Sequence, residues 1–234
     1  MVKRKKRKIK ALVRRLAACL ITVIITVTLV FSVVKFCQLF FPNTSYEGFV
    51  PTTFGKKISK NVKIAQGLAI PEWIVPQIIS VHSTARTGAH LTDIKNIVIH
   101  YVGNPNTSAQ NNRDYYDKPT TEVSSHFVVG LEGEIIQCVP LWEKSAASNN
   151  RNRDTISIEV CHPDKSGKFN NVTYNSLIKL TSWLCEKFGL DEKDVIRHYD
   201  ITEKICPKYY VENPEEWKEF KEDVKKELEA LETK

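Results

Sequence analysis

The chain has 234 residues, with 34 Lys and Arg, 27 Asp and Glu, and 42% hydrophobic residues. Nine of the basic residues and no acidic one lie within the first fifteen positions, which leaves 25 basic and 27 acidic residues in the rest of the chain. A nucleic-acid-binding protein is expected to carry its basic charge on the folded domain. Because the charge here belongs to a tail, we predict no nucleic-acid partner.

An uncharged apolar segment, LAACLITVIITVTLVFSVV, follows this tail from Leu16 to Val34. As a helix it would be roughly 28 Å long at about 1.5 Å per residue, close to the roughly 30 Å hydrocarbon thickness of a bilayer. No small-x-small cleavage site follows it, unlike in a secretory signal peptide. We therefore predict a cytoplasmic tail at 1–15 and one transmembrane helix at 16–34, since basic flanks stay in the cytoplasm.

The remainder of the chain is expected to lie outside the cell. Residues 35–70 are polar, with scattered Pro, Gly and Lys, and are predicted to form a stalk in which Val62, Ile64 and Leu68 could build a short helix. Residues 71–234 are enough for a single domain with a sizeable core.

The first segments of this domain read as strands. The run NIVIHYV at 96–102 is continuously apolar and β-branched, which is typical of a strand that is covered on both faces. The stretch SHFVVGLEGEIIQCVPL predicts two strands joined near Glu132 and Gly133. A further strand is predicted at 154–162, DTISIEVCH.

Three helices are predicted from their end signals. A capping box at Thr107–Gln110 would start a short helix that runs towards Tyr116. The stretch TYNSLIKLTSWLCEKFG has one apolar helical face and ends at Gly189, a typical stop. The last helix is expected to begin after Asn213 as cap, with Glu216 completing a capping box. Strands mixed with helices indicate an α/β domain with helices packed on a central sheet.

Three potential metal ligands stand out in these segments. His100 lies near the end of the most buried predicted strand, where an imidazole costs free energy unless it is paired or coordinated. His198 and Cys206 lie in the later stretch VIRHYDITEKICP. Two imidazoles and a thiolate suit Zn²⁺ with one coordination position left open, and such an ion lowers the pKa of bound water to about 7 and polarises a carbonyl. The set predicts a zinc hydrolase.

Glu159 is a candidate for the proton transfer that such a hydrolase needs. In TISIEV the apolar Ile156, Ile158 and Val160 share one face of the strand, so Glu159 projects from the other. A carboxylate in the middle of a strand is disfavoured by propensity and by desolvation. It could activate a water molecule, or it could be an edge-strand residue in solvent.

Five stretches, taken in order, resemble one family. They are NIVIHYVGNPNTSAQNN, SSHFVVGLEGEIIQCVPL, ISIEVCH, TYNSLIKL and IRHYDITEKICP, within about Ile94 to Val224. Together they look like the zinc-dependent N-acetylmuramoyl-L-alanine amidases of the type 2 amidase family, which includes phage lysozyme-like amidases and animal peptidoglycan recognition proteins. The resemblance implies the type 2 amidase fold, an α/β fold with a mixed central β-sheet flanked by helices. It also implies a Zn²⁺ cofactor and hydrolysis of the amide between N-acetylmuramic acid and L-alanine in peptidoglycan.

The resemblance also implies a role for individual residues. His100, His198 and Cys206 match the three zinc ligands, although many bacterial relatives have Asp at the third position. Glu159 matches the carboxylate that assists the attacking water in bacterial members. Lys204 matches the residue proposed to stabilise the oxyanion.

His126 matches a histidine that lines the substrate cleft of the family. The phage and animal branches usually have Tyr just before this histidine, where this chain has Ser125. Because Ser125 cannot replace a tyrosine, general-base duty is expected to fall to Glu159.

Two alternatives remain open. The outer domain could be a non-catalytic, membrane-anchored receptor that binds peptidoglycan, although all three ligand positions hold competent ligands. It could also be a cysteine hydrolase that uses Cys206 and His198, which would leave His100 unexplained.

Overall fold

The computed structural model describes residues 58–81 and 84–233. In this part of the chain one sheet has the strand order β1-β4-β3-β5-β2-β6. Strands β3 and β4 pair antiparallel, and the other neighbouring strands pair in parallel, so the sheet is mixed as predicted. The strands are β1 Ile74–Pro76, β2 Asn96–Tyr101, β3 Phe127–Val129, β4 Ile135–Gln137, β5 Thr155–Val160 and β6 Val195–Arg197.

Helices flank this sheet, and the two long ones, α3 and α6, pack against each other. A short 3₁₀ helix, Asn149–Arg151, comes just before β5. The α-helices are α1 Lys60–Gly67, α2 Ala109–Tyr116, α3 Asn171–Phe188, α4 Tyr199–Thr202, α5 Lys208–Glu212 and α6 Pro214–Glu232.

Apolar residues cover both faces of the sheet. The larger core cluster contains Ile156, Ile158 and Val160 of β5 together with residues of α3 and α6. The smaller cluster contains Cys161, just after β5, and Tyr116 of α2. This division confirms the two faces predicted for β5, because successive side chains of a strand point to opposite sides.

The C-terminal stop of α3 is confirmed. Gly189 adopts the left-handed conformation at φ 64°, and its backbone N–H donates to the carbonyl of Cys185. Glycine suits this position because it has no Cβ to clash in the left-handed region.

The two predicted capping boxes differ from the structure. The helix α2 begins one residue later than expected: Ser108 is the N-cap, and Asn111 completes the box. Before α6, Asn213 does not cap the helix with its side chain. The reason is that its amide donates to the carbonyl of Tyr209 at 2.9 Å, so the side chain is held by the preceding helix α5.

The helix α1 lies within residues 35–70 and confirms the short helix predicted there. Its Val62 is 0% exposed and belongs to the larger core cluster. The side-chain amide of Asn61 donates to the carbonyls of Ile94 and Phe188, both at 3.0 Å. The compact domain therefore includes residues before position 71.

The predicted membrane-spanning segment at 16–34 lies outside the described residues. Among the helices of residues 58–81 and 84–233, none is both long and apolar enough to cross a bilayer.

Candidate metal centre and active site

The candidate site lies where three parallel strands end. The strand β2 runs between β5 and β6, with His100 opposite Glu159 and Ile99 opposite Arg197. His198 directly follows the last residue of β6. Because the carboxyl ends of parallel strands meet at one edge of the sheet, where α/β folds place their ligand sites, these polar side chains come together.

A tight turn brings Cys206 back beside His198. The N–H of Tyr199 donates to the carbonyl of Cys206 at 2.9 Å, and the N–H of Glu203 donates to the carbonyl of Tyr199 at 2.8 Å. Glu203 has a left-handed backbone, with φ 63°, which ends α4 after a single turn. The N–H of His198 donates to the carbonyl of Ile99 at 3.3 Å, which ties the turn to β2.

His100, His198 and Cys206 each place one ligand atom within 4.8 Å of those of the other two. Nδ1 of His100 lies 3.8 Å from Sγ of Cys206, and the two imidazole centroids are 4.7 Å apart. All three residues are buried, with 1%, 5% and 3% of their surface exposed. Two imidazoles and a thiol that converge in this way fit Zn²⁺ with one position left for water or substrate.

Two residues that were not expected in the site contact the imidazoles. Nε2 of His100 lies 3.3 Å from Oγ of Ser148, and Nε2 of His198 lies 2.8 Å from Oδ1 of Asn149. Their surroundings, KSAASNNRN, are rich in Ser and Asn, as most loops are. No local signal therefore distinguishes these two residues in the sequence.

Burial sets the protonation of the three candidate ligands. Burial lowers the pKa of His100 well below its usual value, and the charges of His198 and Lys204 lower it further. Burial and then Lys204 also lower the pKa of His198. Burial, followed by the charge of Glu159, raises the pKa of Cys206 to about 12. Neutral imidazoles are ready to bind a cation, and a coordinated thiol loses its proton.

The raised pKa of Cys206 is the opposite of what a cysteine nucleophile needs. Reactive cysteines have a lowered pKa, because the thiolate is the attacking species. A cysteine hydrolase that uses Cys206 and His198 also has no role for His100, although Nδ1 of His100 lies 3.8 Å from Sγ of Cys206. The cysteine-hydrolase alternative is therefore not supported.

Glu159 combines a buried oxygen with access to a cavity. Its Oε2 is buried and has no hydrogen-bond partner among the described residues. Burial raises its pKa to about 8, although the positive charge of Lys204 acts in the opposite direction. The cavity has a volume of about 510 Å³ and is also lined by residues of α2 such as Tyr116, by the loop before α2, and by Val123. A carboxyl group with a pKa near neutrality is suited to proton transfer.

Lys204 and Asp200 lie in the turn between His198 and Cys206. The side chain of Lys204 is exposed. Its positive charge lowers the pKa of His100, His198 and Glu159. Asp200 accepts hydrogen bonds from the backbone N–H of Arg197 at 2.8 Å and from its guanidinium at 2.7 Å. Asp200 thus binds the backbone N–H and the side chain of Arg197 and stabilises the start of the turn.

His126 does not line the cleft as expected. It is 0% exposed. Its Nδ1 accepts from the N–H of Ser157 at 3.0 Å, and its Nε2 lies 2.9 Å from the carbonyl of Glu143, to which it donates. Burial lowers the pKa of His126 to about 4. These contacts define a neutral core histidine that joins β5 to the loop after β4.

Together, the fold and the site define an α/β domain with a buried His-His-Cys group and a carboxyl group at the ends of parallel strands. A family model described as N-acetylmuramoyl-L-alanine amidase matches residues 90–209, which contain every one of these residues. The chain belongs to this family.

Curated relatives and a solved structure agree with this assignment. The chain is 34% identical over 168 residues to the N-acetylmuramoyl-L-alanine amidase BlyA of Bacillus subtilis (strain 168), a match that covers 63% of this chain and 45% of BlyA. It is 29% identical over 168 residues to the N-acetylmuramoyl-L-alanine amidase CwlL of Bacillus licheniformis, covering 64% of this chain and 46% of CwlL. The match thus spans somewhat less than half the length of these relatives.

The catalytic domain of XlyA has the same fold. Its structure superposes with a TM-score of 0.57 at 24% sequence identity and covers 64% of this chain and 98% of the XlyA chain. The mixed sheet flanked by helices is therefore the type 2 amidase fold.

Proposed function

We propose that this chain is a zinc-dependent peptidoglycan amidase that hydrolyses the amide between N-acetylmuramic acid and the L-alanine of the stem peptide. The convergence of two buried imidazoles and one thiol at the carboxyl ends of β2 and β6 carries the proposal. The family assignment and the names of the curated relatives support the same reaction.

His100, His198 and Cys206 would hold the ion. When bound, Zn²⁺ supplies Lewis-acid polarisation of a carbonyl and a lowered pKa of water. A divalent cation beside Glu159 would also favour its ionised form, because an opposite charge lowers the pKa of a carboxyl group. Glu159 would then be available as a base at neutral pH.

Glu159 is proposed to move the proton during hydrolysis. Its carboxylate takes a proton from water as the oxygen of that water bonds to the lactyl carbonyl carbon. As the carbon–nitrogen bond breaks, the same carboxyl group returns the proton to the alanine nitrogen. The products are a lactyl carboxylic acid and a free L-alanine amine. The ammonium of Lys204 is proposed to stabilise the negative charge on the carbonyl oxygen during attack.

The amidase reaction is tested by incubating the purified full-length chain with isolated peptidoglycan and measuring new L-alanine N-termini. We expect Glu159→Gln to release amines at least about a hundredfold more slowly, because general acid–base catalysis contributes roughly 10²–10⁴-fold. Release by Glu159→Gln at the wild-type rate would contradict the assigned role.

The metal centre is tested separately by measuring the zinc bound to the purified chain and its variants. Cys206→Ala should lose Zn²⁺ and amine release together. Cys138→Ala is the matched control, since Cys138 is another buried, free cysteine and lies in the smaller core cluster. Stable Zn²⁺ binding and peptidoglycan binding by the wild type without amine release would favour the non-catalytic receptor instead.

We extend the proposal to the location of the enzyme. The uncharged segment 16–34 would anchor the chain in the cell membrane, with the basic tail in the cytoplasm and the catalytic domain on the wall side. Protease added to intact cells should digest the amidase domain while the membrane stays sealed. Protection of this domain would rule out the proposed orientation.

A further inference from the structure

The loop before β5 contacts both imidazoles of the candidate metal centre. Oγ of Ser148 lies 3.3 Å from Nε2 of His100, and Oδ1 of Asn149 lies 2.8 Å from Nε2 of His198. The carbonyl-type oxygen of Asn149 can only accept, so Nε2 of His198 is the donor. A histidine whose Nε2 carries the proton has its lone pair on Nδ1.

In His100, Nδ1 is also the nitrogen that faces another candidate ligand. Nδ1 of His100 lies 3.8 Å from Sγ of Cys206, on the opposite side of the ring from Ser148. In His198, the hydrogen bond to Asn149 likewise leaves Nδ1 as the nitrogen with an available lone pair. The contact with Asn149 therefore favours the tautomer of His198 with Nε2 protonated and Nδ1 free to bind. The hydroxyl of Ser148 can accept from Nε2 of His100 in the same tautomer.

The loop is held in shape independently of the two histidines. Oδ1 of Asn152 accepts from the backbone N–H groups of Ala147 at 3.1 Å and of Ser148 at 2.6 Å. Arg151 forms an ion pair with Asp154 at 2.7 Å. Such supports give the two oxygens a defined position before any ligand binds.

Asn149 itself has a left-handed backbone, with φ 52°. Apart from glycine, Asn and Asp tolerate this conformation best. The backbone angle thus limits the residues that could present an oxygen from this position.

We propose that the turn at Ser148 and Asn149 is a positioning element that fixes both imidazoles as Nε2-protonated donors and so presents their Nδ1 atoms to the metal ion. The inference rests on the proposed function, since it assigns these residues to the zinc site of the amidase. Hydrogen bonds to the second nitrogen of a metal-binding histidine fix its tautomer and orientation, and their loss typically lowers metal affinity about 10–100-fold. Asn149 is expected to contribute more than Ser148 because its contact is shorter.

The test compares the Zn²⁺ affinity of full-length variants by competition with a chelator. Asn149→Gly removes the acceptor and remains compatible with φ 52°, while Asn149→Asp keeps an oxygen acceptor. Asn106→Gly is the matched control, because Asn106 also has a left-handed backbone, with φ 59°, and its side chain is exposed. We expect Asn149→Gly to bind Zn²⁺ about 10–100-fold more weakly, and Asn149→Asp and Asn106→Gly to retain wild-type affinity.

A second readout does not depend on zinc or on activity. The ¹⁵N chemical shifts of the imidazole nitrogens in the metal-free chain report which nitrogen of His198 carries the proton. The wild type should show a protonated Nε2, and Asn149→Gly should show a mixture of tautomers. Restoration of the wild-type shifts by Asn149→Asp would separate positioning from a general loss of structure.

The possible failures are distinguishable. Wild-type zinc affinity and unchanged imidazole shifts in Asn149→Gly would overturn the positioning role while the proposed amidase function stands. Absence of zinc binding by the wild type itself would overturn the metal centre and, with it, this inference. Equal losses of affinity in Asn149→Gly and Asn106→Gly would also overturn the inference, because the cause would then be the backbone.

Discussion

The neutral core histidine at position 126 allows a quantitative prediction of how the free energy of unfolding falls in acid. His126 is fully buried, accepts from the N–H of Ser157 and donates to the carbonyl of Glu143, so protonation would break its contact with Ser157. Burial lowers its pKa from 6.5 to about 4. Because the unfolded chain then binds this proton more readily than the folded chain, stability is lost as the pH falls from about 6.5 to about 4.

The expected magnitude follows from these two pKa values. Relative to neutral pH, His126 alone should lower the free energy of unfolding by about 2 kcal/mol at pH 5 and about 3 kcal/mol at pH 4. The loss should level off below pH 4, where the folded chain is protonated as well.

The assay is urea unfolding of the wild type and His126→Gln, followed by tryptophan fluorescence at pH 7 and pH 5. A chelator is present throughout, so that loss of metal does not contribute. The variant keeps one donor and one acceptor but cannot titrate in this range. Other titrating groups affect both proteins, so the informative quantity is the stability difference between them. This difference should shrink by about 2 kcal/mol between pH 7 and pH 5, and a constant difference would refute the reasoning.

Two further predictions concern a catalytic cation and a backbone turn. Lys204→Met should lower kcat about 10²–10³-fold, because its ammonium is assigned to the oxyanion. Stability should change little, since the side chain is exposed. An unchanged kcat in the amine-release assay would remove Lys204 from the mechanism. Gly189→Ala should destabilise the fold by about 1–2 kcal/mol, since φ is +64° while a Cβ would meet nothing within 4 Å. The matched Gly67→Ala, with equal space and no positive φ, should not be destabilising, and equal effects of the two changes on thermal unfolding would show that backbone strain is not the cause.

Local patterns were sufficient for four strands of the sheet and for one helix end, but not for the short strands β1 and β6. The continuous β-branched run NIVIHYV predicted β2, and the alternation in TISIEV predicted that Ile156, Ile158 and Val160 share one face of β5, which the larger core cluster confirms. Gly189 stops α3 as expected because the left-handed conformation is a property of the residue itself.

Local patterns were not sufficient where neighbouring residues compete. Thr107 and Ser108 can both cap a helix, and the choice of Ser108 depends on Asn111 reaching back to complete the box. Asn213 has the chemistry of a cap, but α5 lies directly before it and its Tyr209 carbonyl takes the side-chain amide. Sequence preferences describe each residue alone, whereas these outcomes depend on which partner is nearer.

The residues of the candidate site could likewise be predicted only in part from local patterns. His100 and Glu159 could be singled out because a polar side chain in a buried strand needs a reason to be there. His126 could not be placed, because its burial depends on Ser157 and Glu143, which lie 31 and 17 residues away.

By itself, the sequence determined which chemical groups are present and that His100 and Glu159 lie on strands. Only the tertiary structure decided which groups meet. His100 and Cys206 are separated by 106 residues and come within 3.8 Å because β2 pairs with both β5 and β6. Strand order and the path of a loop depend on packing between distant segments, which no local pattern of residues encodes. For the same reason, Ser148 and Asn149 gain their contacts to the histidines only in the folded domain.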